Sequence, residues 1–68
     1  MFEHTEQIAA LLRQGKSAEA CIRRDRYWDE QMAKAKAGEV IDLSDLLAGD
    51  EAFVIDQIEK AEQRKANH

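Results

Sequence analysis

The chain has 68 residues, of which 44% are hydrophobic and 35% charged, and its formal net charge is −4. A chain of this length forms at most one domain, and its acidity weighs against broad electrostatic attraction to nucleic acid or anionic lipid. A single cysteine, the lack of a basic apolar leader and the lack of an apolar run near the roughly 20 residues that span a bilayer predict a cytoplasmic protein with no membrane partner.

Three glycines and no prolines punctuate the chain. Gly15, Gly38 and Gly49 each follow a stretch with helical character, and glycine tolerates the left-handed backbone that closes a helix. The spacing predicts an all-α fold in a single domain that spans residues 1–68. Its elements would be a helical hairpin and a C-terminal helix, that is, three helices with a short extra turn.

The first predicted helix covers residues 5–14, with Thr5 as its N-cap and Gly15 as its terminator. Its apolar residues recur at helical spacing: Ile8, Leu11 and Leu12. Because only Lys16 and the cap candidate Ser17 follow Gly15 before the next helical pattern, the first two helices are expected to form an antiparallel hairpin.

The second predicted helix, residues 17–37, contains the clearest pattern in the chain. One face recurs in steps of three and four, as in a helix–helix seam: Ala18, Cys21, Asp25, Trp28, Met32 and Ala35. At 1.5 Å per residue this helix is about 30 Å long, roughly twice the first. Its far half, with Trp28 and Met32, needs cover from the C-terminal helix or from a second copy of the chain. We predict a homodimeric helical bundle whose seam contains Cys21, Asp25, Trp28, Met32 and Ala35.

Two residues of this seam need separate interpretation. Asp25 stands where an apolar residue is expected, and a buried carboxylate requires a partner, such as an arginine of a facing subunit or His4. The alternative is that Asp25 lies at the edge of the stripe and reaches water. Cys21 is interpreted as a small core residue, because no adjacent base or cationic group marks it as a nucleophile.

The last third of the chain is predicted to cross the core and then form a helix. Residues 39–43 are expected to be an extended apolar segment that plugs the core. A short turn capped by Ser44 would end at Gly49, and Asp50 would cap the last helix. The predicted buried stripe of that helix contains Phe53, Val54, Ile55, Ile58 and Ala61. Residues 62–68 have no apolar anchor and are predicted to fray.

The second helix also carries a cluster that combines cations with aromatic residues. Its candidate partner-binding residues are Arg23, Arg24, Arg26 and Tyr27, residue types enriched at the energetic centres of interfaces. On a helical wheel Tyr27 points away from the seam, so it is a better candidate for an outside partner than Trp28. The alternative is that Trp28 belongs to the core and the arginines are solvated or paired with Asp29 and Glu30.

No pattern in the sequence indicates catalysis, a cofactor or a metal. His4, His68 and Cys21 lack metal-ligand spacing, and no pair of acidic residues stands out as a general acid and base. A chain this short also lacks the walls of a substrate-sized pocket. We therefore expect a protein that is not an enzyme and uses no cofactor.

The leading hypothesis is a small protein–protein interaction module, a homodimeric regulator or inhibitor that docks on a protein partner, as phage- or plasmid-type inhibitors of host proteins do. The first alternative is an RNA- or DNA-binding helical dimer that uses the basic and aromatic patch, although Asp25, Asp29 and Glu30 interrupt it. The second is a structural subunit of a larger assembly, in which apolar residues within 40–47 contact neighbours.

Overall fold

The structure, a computed structural model, describes residues 2–66, which contain three helices. Helix α1 is Glu3–Arg13, α2 is Ser17–Lys36 and α3 is Ser44–Ala66, and residues 2–66 contain no strand. The predicted all-α class with three helices is confirmed. Since α3 continues to Ala66 and residues 67–68 lie outside the described part, the fraying of residues 62–68 stays a prediction.

Gly15 and Gly38 end α1 and α2, as the sequence predicts. Their φ angles are +76° and +87°, in the left-handed region that favours glycine. At the first corner the Gly15 amide donates to the Leu12 carbonyl at 3.1 Å and the Lys16 amide donates to the Leu11 carbonyl at 2.9 Å. An equivalent pair of bonds follows α2, so both helices close with a Schellman motif.

The beginnings of the helices differ from the predicted caps. Thr5 lies inside α1, and the N-cap of α2 is Lys16, not Ser17; neither helix has a side-chain hydrogen bond from its N-cap residue. Ser44 is the first residue of α3, and its amide and hydroxyl donate to Oδ1 of Asp42 at 2.9 and 2.6 Å. The capping carboxylate of α3 therefore comes from Asp42, which can accept from the free amide of the first turn.

The prediction that Gly49 ends a helix is wrong. Gly49 lies within α3, which runs without interruption through the turn assigned to Ser44 and through Asp50, the predicted cap. A Cβ atom on Gly49 would stand 3.0 Å from both Cδ2 and Nε2 of the His4 imidazole. Glycine serves here to let α1 approach the backbone of α3, and this contact offsets its cost of about 1 kcal/mol inside a helix.

The core is small and surrounds α1, which packs against both α3 and α2, whereas α2 and α3 touch over a short stretch only. The buried residues Ile8, Leu12 and Ala20 form one cluster, against which Leu11, Ala52 and Phe53 pack. Leu46 is also fully buried, at the start of α3. The molecule is elongated and measures 52 × 18 × 18 Å.

The buried stripe predicted for α3 is correct only at Phe53, which is partly buried against the core. Val54, Ile55 and Ile58 are each more than half exposed, at 57, 54 and 53%, and Ala61 is exposed as well. α3 has apolar residues on two faces, and α1 covers the face that contains Leu46, Gly49 and Phe53. The pattern of apolar residues alone could not separate the covered face from the uncovered one.

The extended segment before α3 plugs the core only in part. Ile41 and Leu43 are half-buried, whereas Val40 is completely exposed. Alternation along an extended segment turns successive side chains to opposite sides, which explains why Val40 faces away from the helices while its neighbour Ile41 does not.

Candidate functional site

The N-terminus of α1 is held by a carboxylate from α3. Oδ2 of Asp45 accepts a hydrogen bond from the His4 amide at 2.9 Å, and Oδ1 accepts one from the Thr5 amide at 2.8 Å. The Thr5 hydroxyl donates to the same carboxylate and to the Asp45 carbonyl, at 2.6 and 2.8 Å. Asp45 thus supplies to α1, across 40 residues of sequence, the cap that no residue next to α1 provides.

These hydrogen bonds also fix the ionisation state of Asp45. Burial opposes ionisation, but the hydrogen bonds from Thr5 and from the His4 amide outweigh it and lower the pKa of Asp45 below its ordinary value. Asp45 is therefore ionised near neutral pH, and its charge lies at the positive end of the α1 dipole.

His4 is enclosed between helices. It is 5% exposed, its ring stacks on Tyr27 with centroids 4.2 Å apart and an interplanar angle of 10°, and its edge lies against Gly49. Nε2 is buried without a hydrogen-bond partner. Burial lowers the pKa of His4, despite the opposing charges of Asp45 and Asp50, so His4 is neutral at pH 7.

Arg24 joins α2 to α3. Its Nε and one terminal nitrogen donate to the two carboxylate oxygens of Asp50, each at 3.0 Å, and its guanidinium carbon lies 5.4 Å from the centre of the Trp28 ring. The hydrogen bond to Asp50 raises the pKa of Arg24. A paired fork of this kind fixes orientation as well as distance, so Arg24 is part of the contact between helices.

The structure therefore changes the predicted orientation of α2. The face that turns inward contains Ala20, Arg24, Tyr27 and Gln31, at steps of four, three and four. The prediction that Tyr27 points outward is wrong, because Tyr27 stacks on His4. The pairing of Arg24 with Asp29 or Glu30 is also wrong, since its partners are Asp50 and Asp25. A helical wheel ranks the faces of a helix by hydrophobicity, whereas the inward face of α2 is determined by specific polar contacts.

The predicted seam lies beside this inward face, on the side of α3. Cys21 is exposed, the Asp25 side chain is 74% exposed and lies 3.6 Å from Arg24, and Trp28 is 37% exposed. Met32 is half-buried and Ala35 is exposed. Asp25 reaches water, which matches the alternative that placed it at the edge of the stripe. The prediction that Cys21 fills the core does not hold within a single chain, and the role of these residues in a dimer stays a prediction.

An open groove of about 640 Å³ runs between α1 and α2. Three of the predicted partner-binding residues, Arg23, Arg26 and Tyr27, line it, whereas Arg24 lies on the other side of α2. Arg23 donates a hydrogen bond to Oε1 of Gln7 across the groove. The remaining lining residues combine acidic, polar and apolar side chains: Glu3, His4, Gln7, Leu11, Glu19, Ile22, Glu30 and Asp45.

Sequence reasoning missed the residues that organise this site. His4, Asp45 and Gly49 meet only because α1 crosses the start of α3, and no local spacing links position 4 to positions 45 and 49. Within residues 2–66 no group of three or more histidine, cysteine or acidic side chains is placed to hold a metal ion. None of the helices has an apolar stretch of the length needed to cross a bilayer, among the same residues.

Comparison of the chain with protein-family models, with curated proteins and with solved structures finds no match. Three features of the described residues bear on function: a polar junction at His4 and Asp45, an open groove of mixed charge between α1 and α2, and an exposed apolar face on α3.

Proposed function

We propose that the chain is a non-catalytic protein–protein interaction module that works in the cytoplasm as a homodimeric regulator or inhibitor of a protein on which it docks. The observation that carries the proposal is the balance of apolar side chains. Among the described residues the large apolar side chains that are at least 37% exposed are Phe2, Ile22, Trp28, Val40, Leu47, Val54, Ile55 and Ile58, whereas Ile8, Leu12 and Leu46 are the large ones that are buried. Of these, Leu47, Val54 and Ile58 share one side of α3, and an apolar face of this kind marks a site of association.

The polar groups at the junction of the helices support a non-catalytic role. The one unpartnered buried nitrogen noted there, Nε2 of His4, has no access to solvent, and the Asp45 carboxylate is occupied by backbone amides and a hydroxyl. A general acid or base must reach the proton that it transfers. Both groups instead hold helices together.

The groove between α1 and α2 is the surface that we assign to the protein partner. Arg23 and Arg26 are exposed on its α2 side, and Glu3 contributes an opposite charge from α1. Ile22, 55% exposed, adds apolar area to the same lining. A surface that combines apolar area with charges of both signs suits a protein segment that also has charges of both signs.

This arrangement favours a protein partner over nucleic acid. A phosphate backbone requires several free cations on one surface, but Arg24 is bound to Asp50. The other two arginines share their groove with the acidic residues Glu3, Glu19, Glu30 and Asp45. Negative charge at these positions would repel phosphates.

A capture experiment tests the proposed partner surface. The immobilised full-length chain is exposed to extract of its native cells, and bound proteins are identified by mass spectrometry. We expect one dominant protein, and Arg23→Ala with Arg26→Ala should reduce its capture at least tenfold, since interface arginines are frequent hot spots. Arg13→Ala is the matched control, because Arg13 is exposed but does not line the groove.

Two results would contradict this assignment. If the Arg23→Ala and Arg26→Ala substitutions leave capture unchanged, as Arg13→Ala should, the groove is excluded as the docking surface. Loss of the captured material after nuclease treatment of the extract would support the nucleic-acid alternative instead.

A further inference from the structure

The face of α3 that points away from α1 is apolar and uncovered. Leu47, Val54 and Ile58 follow one another at steps of seven and four, so they lie on one side of the helix, and they are 61, 57 and 53% exposed. Nine residues of helix turn through about 900°, which places Ile58 opposite Gly49, where α1 approaches. Neither α1 nor the short α2 contact covers this outward face of α3.

The surface area of the chain indicates what covers this face. The chain exposes 5308 Å², about 900 Å² more than the roughly 4,400 Å² expected for a compact monomer of its mass. Its radius of gyration is 14.2 Å, compared with about 11 Å for a compact domain of this length. In a standard dimer each subunit buries about 800 Å². The excess is therefore comparable to the area that one subunit buries in a dimer.

The charges along α3 select an antiparallel arrangement. Glu51 lies seven residues before Ile58 and Lys65 lies seven residues after it, on the same face of the helix. If a two-fold axis passes beside Ile58 and the two α3 helices are antiparallel, Glu51 of each copy faces Lys65 of the other. In a parallel pair Glu51 would face Glu51 and Lys65 would face Lys65, and both contacts would be repulsive.

We propose that a second copy of this chain is the occupant of the outward face of α3. The two α3 helices pair antiparallel about a two-fold axis beside Ile58, with Val54 and Ile58 in the contact and two Glu51–Lys65 ion pairs at its ends. A two-fold contact of this kind is closed, so it yields a dimer and not a fibre. The inference deepens the proposed function, because it assigns the homodimer contact to α3 in place of the predicted seam on α2.

Sedimentation equilibrium of the full-length chain and its variants tests this assignment. We expect a dimer whose dissociation constant rises at least about 100-fold in Ile58→Glu, because two apolar side chains are lost and two carboxylates meet at the axis. Gln57→Glu, which adds the same charge one residue away on an exposed position, should leave the constant within about threefold. Helix content by circular dichroism confirms that each variant is folded.

A charge exchange tests the direction of pairing at exposed positions. Glu51→Lys should raise the dissociation constant about 3- to 30-fold by replacing two attractive pairs with two repulsive ones, and adding Lys65→Glu should restore it. Failure of the double variant to recover would overturn the antiparallel arrangement.

The sedimentation results distinguish a failure of the α3 contact from a failure of the proposed homodimer. A wild-type chain that stays monomeric at high concentration overturns both. A dimer that persists in Ile58→Glu but dissociates in Trp28→Glu leaves the proposed homodimer standing and overturns the α3 assignment, in favour of the seam on α2. An oligomer larger than a dimer contradicts the closed two-fold contact and supports the structural-subunit alternative.

Discussion

At the scale of single residues, His4 joins α1 to both other helices through its ring and its backbone amide. Its ring is held between Tyr27 and Gly49, and its backbone amide is held by Asp45. Because Nε2 has no partner and no access to water, protonation would create a buried charge. The neutral imidazole is therefore the form that the folded chain stabilises.

The burial of the neutral His4 imidazole predicts that the folded chain loses stability in mild acid. The pKa of His4 is lowered in the folded chain below its ordinary value of 6.5, so the unfolded chain binds the proton more readily. The stabilisation is fully present above pH 6.5 and is lost as the pH falls from there through the folded pKa, with a slope of at most about 1.4 kcal/mol per pH unit. Urea unfolding at fixed chain concentration, at pH 7.5 and 5.5, measures the difference.

His4→Phe is the matched variant, because it keeps a flat ring against Tyr27 and removes the titration. Every other ionisable side chain is the same in both proteins, so the comparison isolates His4. Between pH 7.5 and 5.5 the wild-type chain should lose more stability than His4→Phe does. An identical loss of stability between these pH values in both would show that His4 does not control it.

At the scale of helices, the sequence predicts what is local and misses what is distant. Gly15 and Gly38 close their helices through bonds to residues three to five positions away, and such contacts can be inferred from neighbouring residues. Gly49 looks the same in sequence, but its function depends on His4, which lies 45 residues away. The inward face of α2 was missed for the same reason, since it is fixed by Tyr27 on His4 and Arg24 on Asp50.

The crossing of α1 and α3 at Gly49 gives a second prediction. Alanine normally stabilises a helix interior relative to glycine by about 1 kcal/mol. In Gly49→Ala the added methyl group would press on an imidazole that Tyr27 holds in place, and overpacking of this kind costs about 1 to 3 kcal/mol. We expect a net loss of about 1 kcal/mol in the free energy of unfolding.

The same substitution in a His4→Ala background is the control for this prediction. Without the imidazole the added methyl group has room, so Gly49→Ala should become neutral or stabilising in urea unfolding. If Gly49→Ala costs the same in both backgrounds, the close approach of His4 is not the reason for glycine at this position.

At the scale of the whole molecule, more large apolar side chains are exposed than are buried in the core, among the residues described. Ile8, Leu12 and Ala20 form a cluster around α1, whereas Leu47, Val54 and Ile58 remain exposed on α3. A second copy paired through α3 would cover Val54 and Ile58 and leave the groove between α1 and α2 open to a partner. Dimerisation and docking would then use opposite sides of the molecule, so a variant could lose one without the other.

Disulfide trapping at the proposed axis tests this account most directly. Ile58→Cys is prepared in a Cys21→Ser background, because Cys21 is exposed, and is mildly oxidised beside Gln57→Cys in the same background. A disulfide needs Cβ atoms about 4 Å apart, which two copies reach at position 58 if α3 pairs about that residue. We expect rapid, nearly complete covalent dimer for Ile58→Cys and little for Gln57→Cys. Equal slow trapping of both variants would show that α3 does not pair about Ile58.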